Sequence, residues 1–163
     1  MKIEMKTLVP QEQTVLKNLL YQAIYVPPGQ PIPDRGIIDE PELSRYVEDW
    51  GRSDDRAVFA VYRGEVIGGA WTRIFTRDAK GYGTIDPKIP ELSIAVLPKF
   101  RGKGIGTRLL QYLISNLEHD YQGVSLSVSK HNPAKMLYER FGFSTIQDKE
   151  ESLIMVKYFD DAA

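Results

Sequence analysis

A glycine-rich turn between an apolar strand and a long helix is the feature that most constrains this sequence. The strand-like letters SIAVLP end at Pro98, and FRGKGIGTRLL follows with glycines at Gly102, Gly104 and Gly106. The first N–H groups of a helix have no partner within it and lie at the positive end of the helix dipole. An anion placed there gains hydrogen bonds and charge stabilisation, and glycines let it approach closely. The turn RGKGIG, residues 101–106, therefore predicts an anion-binding site.

Two other phosphate-binding patterns do not fit this turn. GxGxxG fails because Thr107 stands where the third glycine belongs, and GxxxxGK[ST] has no match in the chain. The sequence therefore disfavours a dinucleotide site and a nucleoside-triphosphate site. A glycine-rich turn without any ligand is the structural alternative, and Arg101 and Lys103 beside the glycines argue against it.

Hydrophobic periodicity predicts a mixed α/β order of elements. The predicted helices cover residues 11–26, 40–50, 104–120 and 133–141. The predicted strands cover residues 57–62, 65–75, 91–97 and 124–129, with a last pair of strands in 143–158 around a turn at 148–151. Four prolines in VPPGQPIPDRGII exclude regular structure between the first two helices. Arg63 and Gly64 predict a tight hairpin turn.

Composition narrows the class of protein. The 163 residues suit one domain, predicted here as residues 1–163. A net charge of −1 gives no basic patch for nucleic acid, and no apolar stretch is long enough to span a bilayer. The start of the chain has no signal-peptide core, so we predict a cytoplasmic protein without nucleic-acid or membrane partners. His119 and His131, with no cysteine in the chain, make a poor metal set, so no metal is predicted.

Two motifs together resemble the GCN5-related N-acetyltransferase (GNAT) superfamily. The segment PELSIAVLPKFRGKGIGTRLLQYL contains Arg-x-x-Gly-x-Gly and resembles the family's fourth strand, pyrophosphate turn and following helix. The segment HNPAKMLYERFGF resembles its next helix with a recurrent tyrosine. The resemblance implies an α/β fold with a mixed, twisted sheet flanked by helices and with splayed parallel central strands. It also implies an acetyltransferase that uses acetyl-CoA.

The resemblance assigns cofactor contacts to three segments of the chain. Backbone groups of β-strand residues should pair with the pantetheine arm, the turn should hold the diphosphate, and an asparagine should contact the cofactor or only cap the next helix. The residues at these positions are Ile94, Ala95, Val96, Arg101, Gly102, Lys103, Gly104, Ile105, Gly106, Thr107 and Asn132. Small side chains at Ser93, Ala95, Ser127 and Ser129 would leave room for the arm.

Direct transfer to an amine needs a base for the amine and a proton for the leaving thiolate. By the resemblance Tyr138 serves the thiolate, and its alternative role is that of a packed core aromatic. Glu91, at the start of the cofactor strand, is the candidate base, and its alternatives are a solvated strand end, a water chain or a backbone carbonyl. Some relatives carry a glutamate where this chain has Ser127. A chain without cysteine cannot form an acetyl-cysteine intermediate.

The acceptor is the least constrained part of the prediction. The resemblance places it beside the first helices, the proline-rich loop and the connection before the cofactor strand, where Tyr25, Tyr46 and Tyr82 are candidate substrate-binding residues. The predicted substrate is a primary amine on a small molecule or peptide. An acyl-CoA-binding sensor or pseudoenzyme without transfer is the alternative function, and a homodimer is the assembly that the resemblance favours.

Overall fold

A mixed β-sheet organises the chain. The computed structural model describes residues 1–159, and within them seven strands form one sheet in the order β1-β2-β3-β4-β5-β7-β6. Neighbouring strands run antiparallel except for β4 and β5, which run parallel. The strands are β1 (Glu4–Lys6), β2 (Arg56–Tyr62), β3 (Glu65–Arg73), β4 (Glu91–Val96), β5 (Gly123–Ser129), β6 (Ser144–Asp148) and β7 (Ser152–Tyr158).

Four α-helices within the described residues flank this sheet. They are α1 (Glu12–Ala23), α2 (Pro41–Ser44), α3 (Ile105–Leu117) and α4 (Ala134–Arg140). Short 3-10 turns cover Arg35–Asp39, Arg77–Ala79 and Pro98–Phe100. No helix within residues 1–159 has the length and apolar character needed to cross a membrane.

The predicted order of elements is confirmed, with corrections to detail. Helices α1 and α3 and strand β3 end two or three residues earlier than predicted. The three-residue strand β1 was not predicted, because three residues are too few to show a period of two. The predicted helix at 40–50 ends at Ser44 and continues as turns. The predicted helix start at Pro133 shifts by one residue to Ala134. The hairpin turn is confirmed, since Arg63 and Gly64 have φ values of 51° and 78°, as a tight turn with left-handed residues requires.

Two hydrophobic cores lie on opposite faces of the sheet. On one face, which we call the α3 face, Leu109 and Leu113 of α3 pack with Val58 and Leu126 of the sheet. On the other, the α1 face, α1 and the α2 segment cover Phe59 and Trp71. The residues buried there include Leu16, Leu19, Tyr46 and Val47. Side chains alternate between the two faces along β4, so Leu92 and Ile94 lie on the α3 face and Ala95 lies on the α1 face.

Candidate active site

The two parallel strands at the centre of the sheet separate after one paired position. Between β4 and β5 the register within the described residues pairs Glu91 with Ser125, and the Ser125 N–H donates to the Pro90 carbonyl at 3.0 Å. The strands nevertheless run on to Val96 and Ser129. They therefore diverge and leave a gap where a regular sheet would continue its ladder.

One edge of β4 faces this gap with two residues. The Leu97 N–H donates to the Ile67 carbonyl of β3 at 2.8 Å, and backbone groups along a strand point alternately to its two edges. Ala95 therefore faces β3, and its carbonyl lies 3.0 Å from the position of a Cβ on Gly68. Ile94 and Val96 face the gap. The prediction assigned the pantetheine arm to backbone groups of Ile94, Ala95 and Val96. The backbone groups of Ile94 and Val96 face the gap, whereas those of Ala95 face β3.

The glycine-rich turn has a backbone that only glycine adopts readily. Gly102 and Gly104 have φ values of 76° and 79°, in the left-handed region that favours glycine, and no atom lies within 4 Å of a Cβ built on either. Helix α3 begins directly after Gly104, and no side chain caps it. The N–H groups of its first turn are therefore available to a ligand.

The two basic residues of the turn occupy different surroundings. Arg101 directs its Nε to the Val96 carbonyl at 2.8 Å and its Nη2 to the Gln22 carbonyl at 3.3 Å. Its side chain thus ties the end of β4 to the last turn of α1, and it also borders the gap. Lys103 is exposed and does not border the gap.

The gap opens into one cavity of about 960 Å³. It brings together fifteen of the sixteen predicted site residues, and Lys103 is the one that stays outside. The predicted residues on its wall are Tyr25, Tyr46, Tyr82, Glu91, Ile94, Ala95, Val96, Arg101, Gly102, Gly104, Ile105, Gly106, Thr107, Asn132 and Tyr138.

Tyr138 borders the cavity from helix α4. Its ring packs against Phe143 with centroids 5.8 Å apart, and its side chain is buried. Burial raises the pKa of the Tyr138 phenol above its ordinary value, because the charged phenolate loses hydration. The residue is therefore both a packed aromatic and a phenol that keeps its proton at neutral pH.

Asn132 has the capping role that was its alternative assignment. Its Oδ1 accepts the Ala134 N–H at 2.9 Å, where α4 begins. The side chain also borders the cavity, so capping and contact with a ligand are compatible.

Glu91 is a buried carboxylate, which corrects its alternative reading as a solvated strand end. The Tyr46 hydroxyl donates to Oε2 at 2.5 Å, and the Thr84 hydroxyl donates to Oε1 at 3.0 Å. Each hydroxyl is oriented by a backbone donor, since Tyr46 accepts the Tyr82 N–H at 2.7 Å and Thr84 accepts the Gly81 N–H at 2.9 Å. Both hydroxyl protons are thus directed at the carboxylate.

Opposing influences act on the pKa of Glu91. Burial raises the pKa, and the hydrogen bonds from Tyr46 and Thr84 lower it, with burial the larger influence. The pKa of Glu91 therefore lies above that of an ordinary glutamate. Desolvation and the neighbouring carboxylate raise the pKa of Tyr46 as well, so this phenol stays protonated and remains a donor.

The connection between β3 and β4 packs tightly over Glu91. A Cβ on Gly81 would collide with the Glu91 carboxylate and the Tyr46 hydroxyl, and one on Gly83 would collide with the backbone of Leu126. The Ser125 hydroxyl also donates to the Gly83 carbonyl at 2.7 Å. These contacts fix the position of the loop at the closed end of the gap.

The three candidate acceptor-side tyrosines have different environments. Tyr46 is buried and bound to Glu91. Tyr82 is 54% exposed at the cavity rim. Tyr25 donates its hydroxyl to the His131 carbonyl at 3.0 Å, which joins the proline-rich loop to the segment between β5 and α4.

A family model decides how this site is classified. The model of the acetyltransferase (GNAT) domain matches residues 54–145, which is more than half of the chain and includes both the glycine turn and Tyr138. The chain belongs to the GNAT family. The resemblance predicted from the two motifs is thereby confirmed.

A curated relative matches part of this GNAT chain. The [ribosomal protein bS18]-alanine N-acetyltransferase of Haemophilus influenzae is 42% identical over 55 residues. The aligned stretch covers 33% of this chain and 38% of that relative, so the chain matches well under two thirds of the relative's length.

Solved GNAT structures share the fold over nearly the whole chain. The ribosomal-protein-S18-alanine N-acetyltransferase of Escherichia coli superposes with a TM-score of 0.68 at 18% identity, covering 99% of this chain and 97% of that one. The PaiA N-acetyltransferase of Thermoplasma acidophilum, solved with coenzyme A, gives 0.69 at 19% identity, with 98% and 100% covered. At this identity the likeness establishes the fold, including the mixed sheet and its parallel central pair.

Sequence reasoning missed several residues of the GNAT cavity. Thr84 carries no motif and lies outside the cavity wall, but its hydroxyl donates to the Glu91 carboxylate that borders the cavity. Arg140 borders the cavity from α4, three residues after Leu137, whose Cδ2 lies 3.6 Å from a Cβ built on Gly106. Helical spacing therefore turns Arg140 toward the start of α3, a position that the motif alone does not reveal. Ile32 of the proline-rich loop also borders the cavity.

Proposed function

We propose that this GNAT protein transfers the acetyl group of acetyl-CoA directly to a primary amine, acting as one domain over residues 1–163. The observation that carries the proposal is the single cavity, which joins the uncapped start of α3, the Tyr138 phenol and the buried Glu91 carboxylate. Its volume of about 960 Å³ leaves room for both a cofactor arm and an acceptor.

The residues near α3 would bind the donor. The free N–H groups of Ile105, Gly106 and Thr107 lie where a diphosphate gains from the helix dipole, and Arg140 adds positive charge. The edge of β4 at Ile94 and Val96 would bind the amides of the pantetheine arm in the manner of an added strand, although the Val96 carbonyl also accepts a hydrogen bond from Arg101. Arg101 would act mainly by positioning, since its guanidinium is bound to two carbonyls.

Two side chains would carry the proton movements. The amine nitrogen forms a bond to the thioester carbonyl carbon, its proton passes to the Glu91 carboxylate, and the carbon–sulfur bond breaks. Tyr138 donates a hydrogen bond to the sulfur as negative charge develops there. Burial keeps the proton on Tyr138 until that charge appears.

A binding measurement and a turnover measurement test this proposal. Calorimetry of the full chain with CoA should detect one site, and no binding would overturn the proposal. Because the chain contains no cysteine, a thiol reagent reports released CoA alone when acetyl-CoA and amines are mixed with the protein.

The amines tested should include a peptide with an N-terminal alanine, since the relative from Haemophilus influenzae is named for that reaction. CoA binding without transfer to any amine would instead favour an acyl-CoA sensor.

A further inference from the structure

Charge is distributed unevenly along the cavity wall. Among the described residues, the charged side chains on the wall are Glu91, Arg101 and Arg140. Glu91 begins β4, and Arg101 binds the carbonyl of Val96 at its other end, so roughly 16 Å of extended strand lies between the two sites. Arg140 is turned toward the start of α3. The positive charge therefore lies at the turn, and the closed end holds one carboxylate.

The rest of the wall at the closed end is aromatic or aliphatic. Tyr46 presents a ring whose hydroxyl is already bound to Glu91, and Leu43 borders the cavity from α2. Tyr82 is connected to the carboxylate by its own N–H, which donates to the Tyr46 hydroxyl. Tyr82 therefore lies beside the one acidic group, with its ring at the rim.

Two exposed hydrophobic side chains border the same cavity. Ile32 is 74% exposed and Tyr82 is 54% exposed, and they come from two separate loops. Single exposed hydrophobic residues are common, but a pair on the wall of one cavity offers apolar contact to whatever enters it. Leu8 is equally exposed, at 76%, and does not border the cavity.

We infer that the acceptor is a primary amine carried on an uncharged, largely apolar body. Glu91 would receive the amino group, and Tyr82 and Ile32 would contact the body. A carboxylate on the acceptor would find no cationic partner at the closed end, and a second ammonium group would find no second carboxylate. A second charge held against the apolar side chains of Tyr82 and Ile32 loses part of its hydration and gains no charged partner, so the site selects against free amino acids and polyamines. This inference rests on the proposed transfer reaction.

Three amines with the same six-carbon chain test the inference directly. Hexylamine, aminocaproate and hexamethylenediamine differ only at the far end, which carries a methyl, a carboxylate or an ammonium group. We expect kcat/KM for hexylamine to exceed that for each charged analogue by about 10-fold, because the charged far end loses part of its hydration against apolar side chains. An equal or higher value for either analogue would overturn the inference and leave acetyl transfer intact.

Variants of Tyr82 test whether the preference for an uncharged amine arises at the cavity wall. Tyr82→Ala should raise KM for hexylamine with little change in kcat. Tyr82→Glu supplies a second carboxylate and should move the preference toward hexamethylenediamine. Leu8→Ala and Leu8→Glu are matched controls outside the cavity and should change neither value. An unchanged preference in Tyr82→Glu would contradict the assignment of Tyr82.

The outcomes separate this inference from the proposed function. Transfer to an N-terminal alanine peptide but to none of the three amines would overturn the inference alone. Absence of transfer to every amine, with CoA still bound, would overturn both.

Discussion

The hydroxyl of Tyr138 can be removed with little disturbance to the packing of its ring. Tyr138 borders the cavity, and Tyr138→Phe keeps the ring that packs against Phe143 while it deletes the hydroxyl. We expect kcat to fall about 100-fold, the lower range for groups that assist proton movement. The dissociation constant for CoA should stay within about twofold, because the proposed mechanism has the phenol act at the sulfur and not at the diphosphate.

Tyr112→Phe is the control for this measurement, since Tyr112 lies on α3, is 49% exposed and does not border the cavity. Steady-state kinetics and calorimetry on both variants give the comparison. Unchanged kcat in Tyr138→Phe would remove the role that we assign to the phenol.

The raised pKa of Glu91 predicts how the stability of the protein depends on pH. Its pKa in the folded protein is raised by burial above the value of about 4.3 expected in the unfolded chain. As pH rises from that unfolded value through the folded value, the unfolded state loses its proton more readily, so the native protein loses stability. Glu91→Gln lacks this titration, and its free energy of unfolding should not contain the same loss.

Urea unfolding of wild-type and Glu91→Gln protein between acid and neutral pH measures this difference. The other carboxylates are common to both proteins and largely cancel. The wild type should lose stability relative to the variant as pH rises. The opposite slope would mean that hydrogen bonds from Tyr46 and Thr84 outweigh burial and hold the pKa of Glu91 low.

At the scale of single elements, the glycine turn can be tested with a variant of matched backbone strain. Gly104 and Gly64 have φ values of 79° and 78°, and neither has an atom within 4 Å of a built Cβ. Alanine at either position should therefore reduce the free energy of unfolding by about 1 to 2 kcal/mol. Only Gly104→Ala places a methyl group at the start of α3, so it alone should weaken CoA binding, by about 10-fold or ~1.4 kcal/mol.

Chemical unfolding and calorimetry on both alanine variants check this prediction. Equal CoA affinity in Gly104→Ala and wild type would show that the diphosphate does not approach Gly104. Weaker CoA binding in Gly64→Ala would attribute the effect to general strain.

The elements that sequence predicted well are those whose information is local. Helix α3 and the β2–β3 hairpin follow from side-chain period and turn residues, and the turn before α3 follows from its glycines. The helix predicted at 40–50 fails for a reason distant in sequence. Arg73 on β3 donates to the carbonyls of Arg45 and Glu48 at 3.0 and 2.6 Å, so these groups bind a side chain and not the next turn of a helix.

In the candidate site too, contacts between neighbours in sequence could be predicted and contacts between distant residues could not. The grouping of residues at the end that we propose for the cofactor could be predicted, because the strand, turn and helix there are contiguous in sequence. The partners of Glu91 were not predicted as partners, because Tyr46 lies 45 residues before it and Thr84 belongs to no recognisable motif. The burial of Glu91 likewise depends on a loop that packs over it. The alternating hydrophobic pattern showed only that Glu91 begins a strand and did not show that it is buried.

At the scale of the whole molecule, one buried ion pair joins the α1 face to the sheet. Arg73 and Asp55 are 2.8 Å apart with side chains only 1% and 3% exposed, and Asp55 also accepts the N–H groups of Gly51 and Arg52. Asp55→Ala leaves the Arg73 charge buried without its partner, so we expect a loss of about 3 to 5 kcal/mol. Asp120→Ala breaks the surface pair with Arg56 and should cost less than about 1 kcal/mol.

The loss in Asp55→Ala should be concentrated on one face of the sheet. Arg73 binds the carbonyls of Arg45, Glu48 and Asp49, and its guanidinium lies 5.2 Å from the centre of the Trp50 ring, whereas α3 packs on the opposite face. Amide hydrogen exchange should therefore accelerate most in residues 41–55, while α3 keeps its protection at conditions where the protein stays folded. Because Tyr46 lies in the loosened segment and α3 does not, KM for the amine should rise while CoA affinity changes little. Equal acceleration of amide hydrogen exchange on both faces would indicate that the two cores open together. The proposed acceptor and cofactor ends of the cavity could not then be perturbed separately.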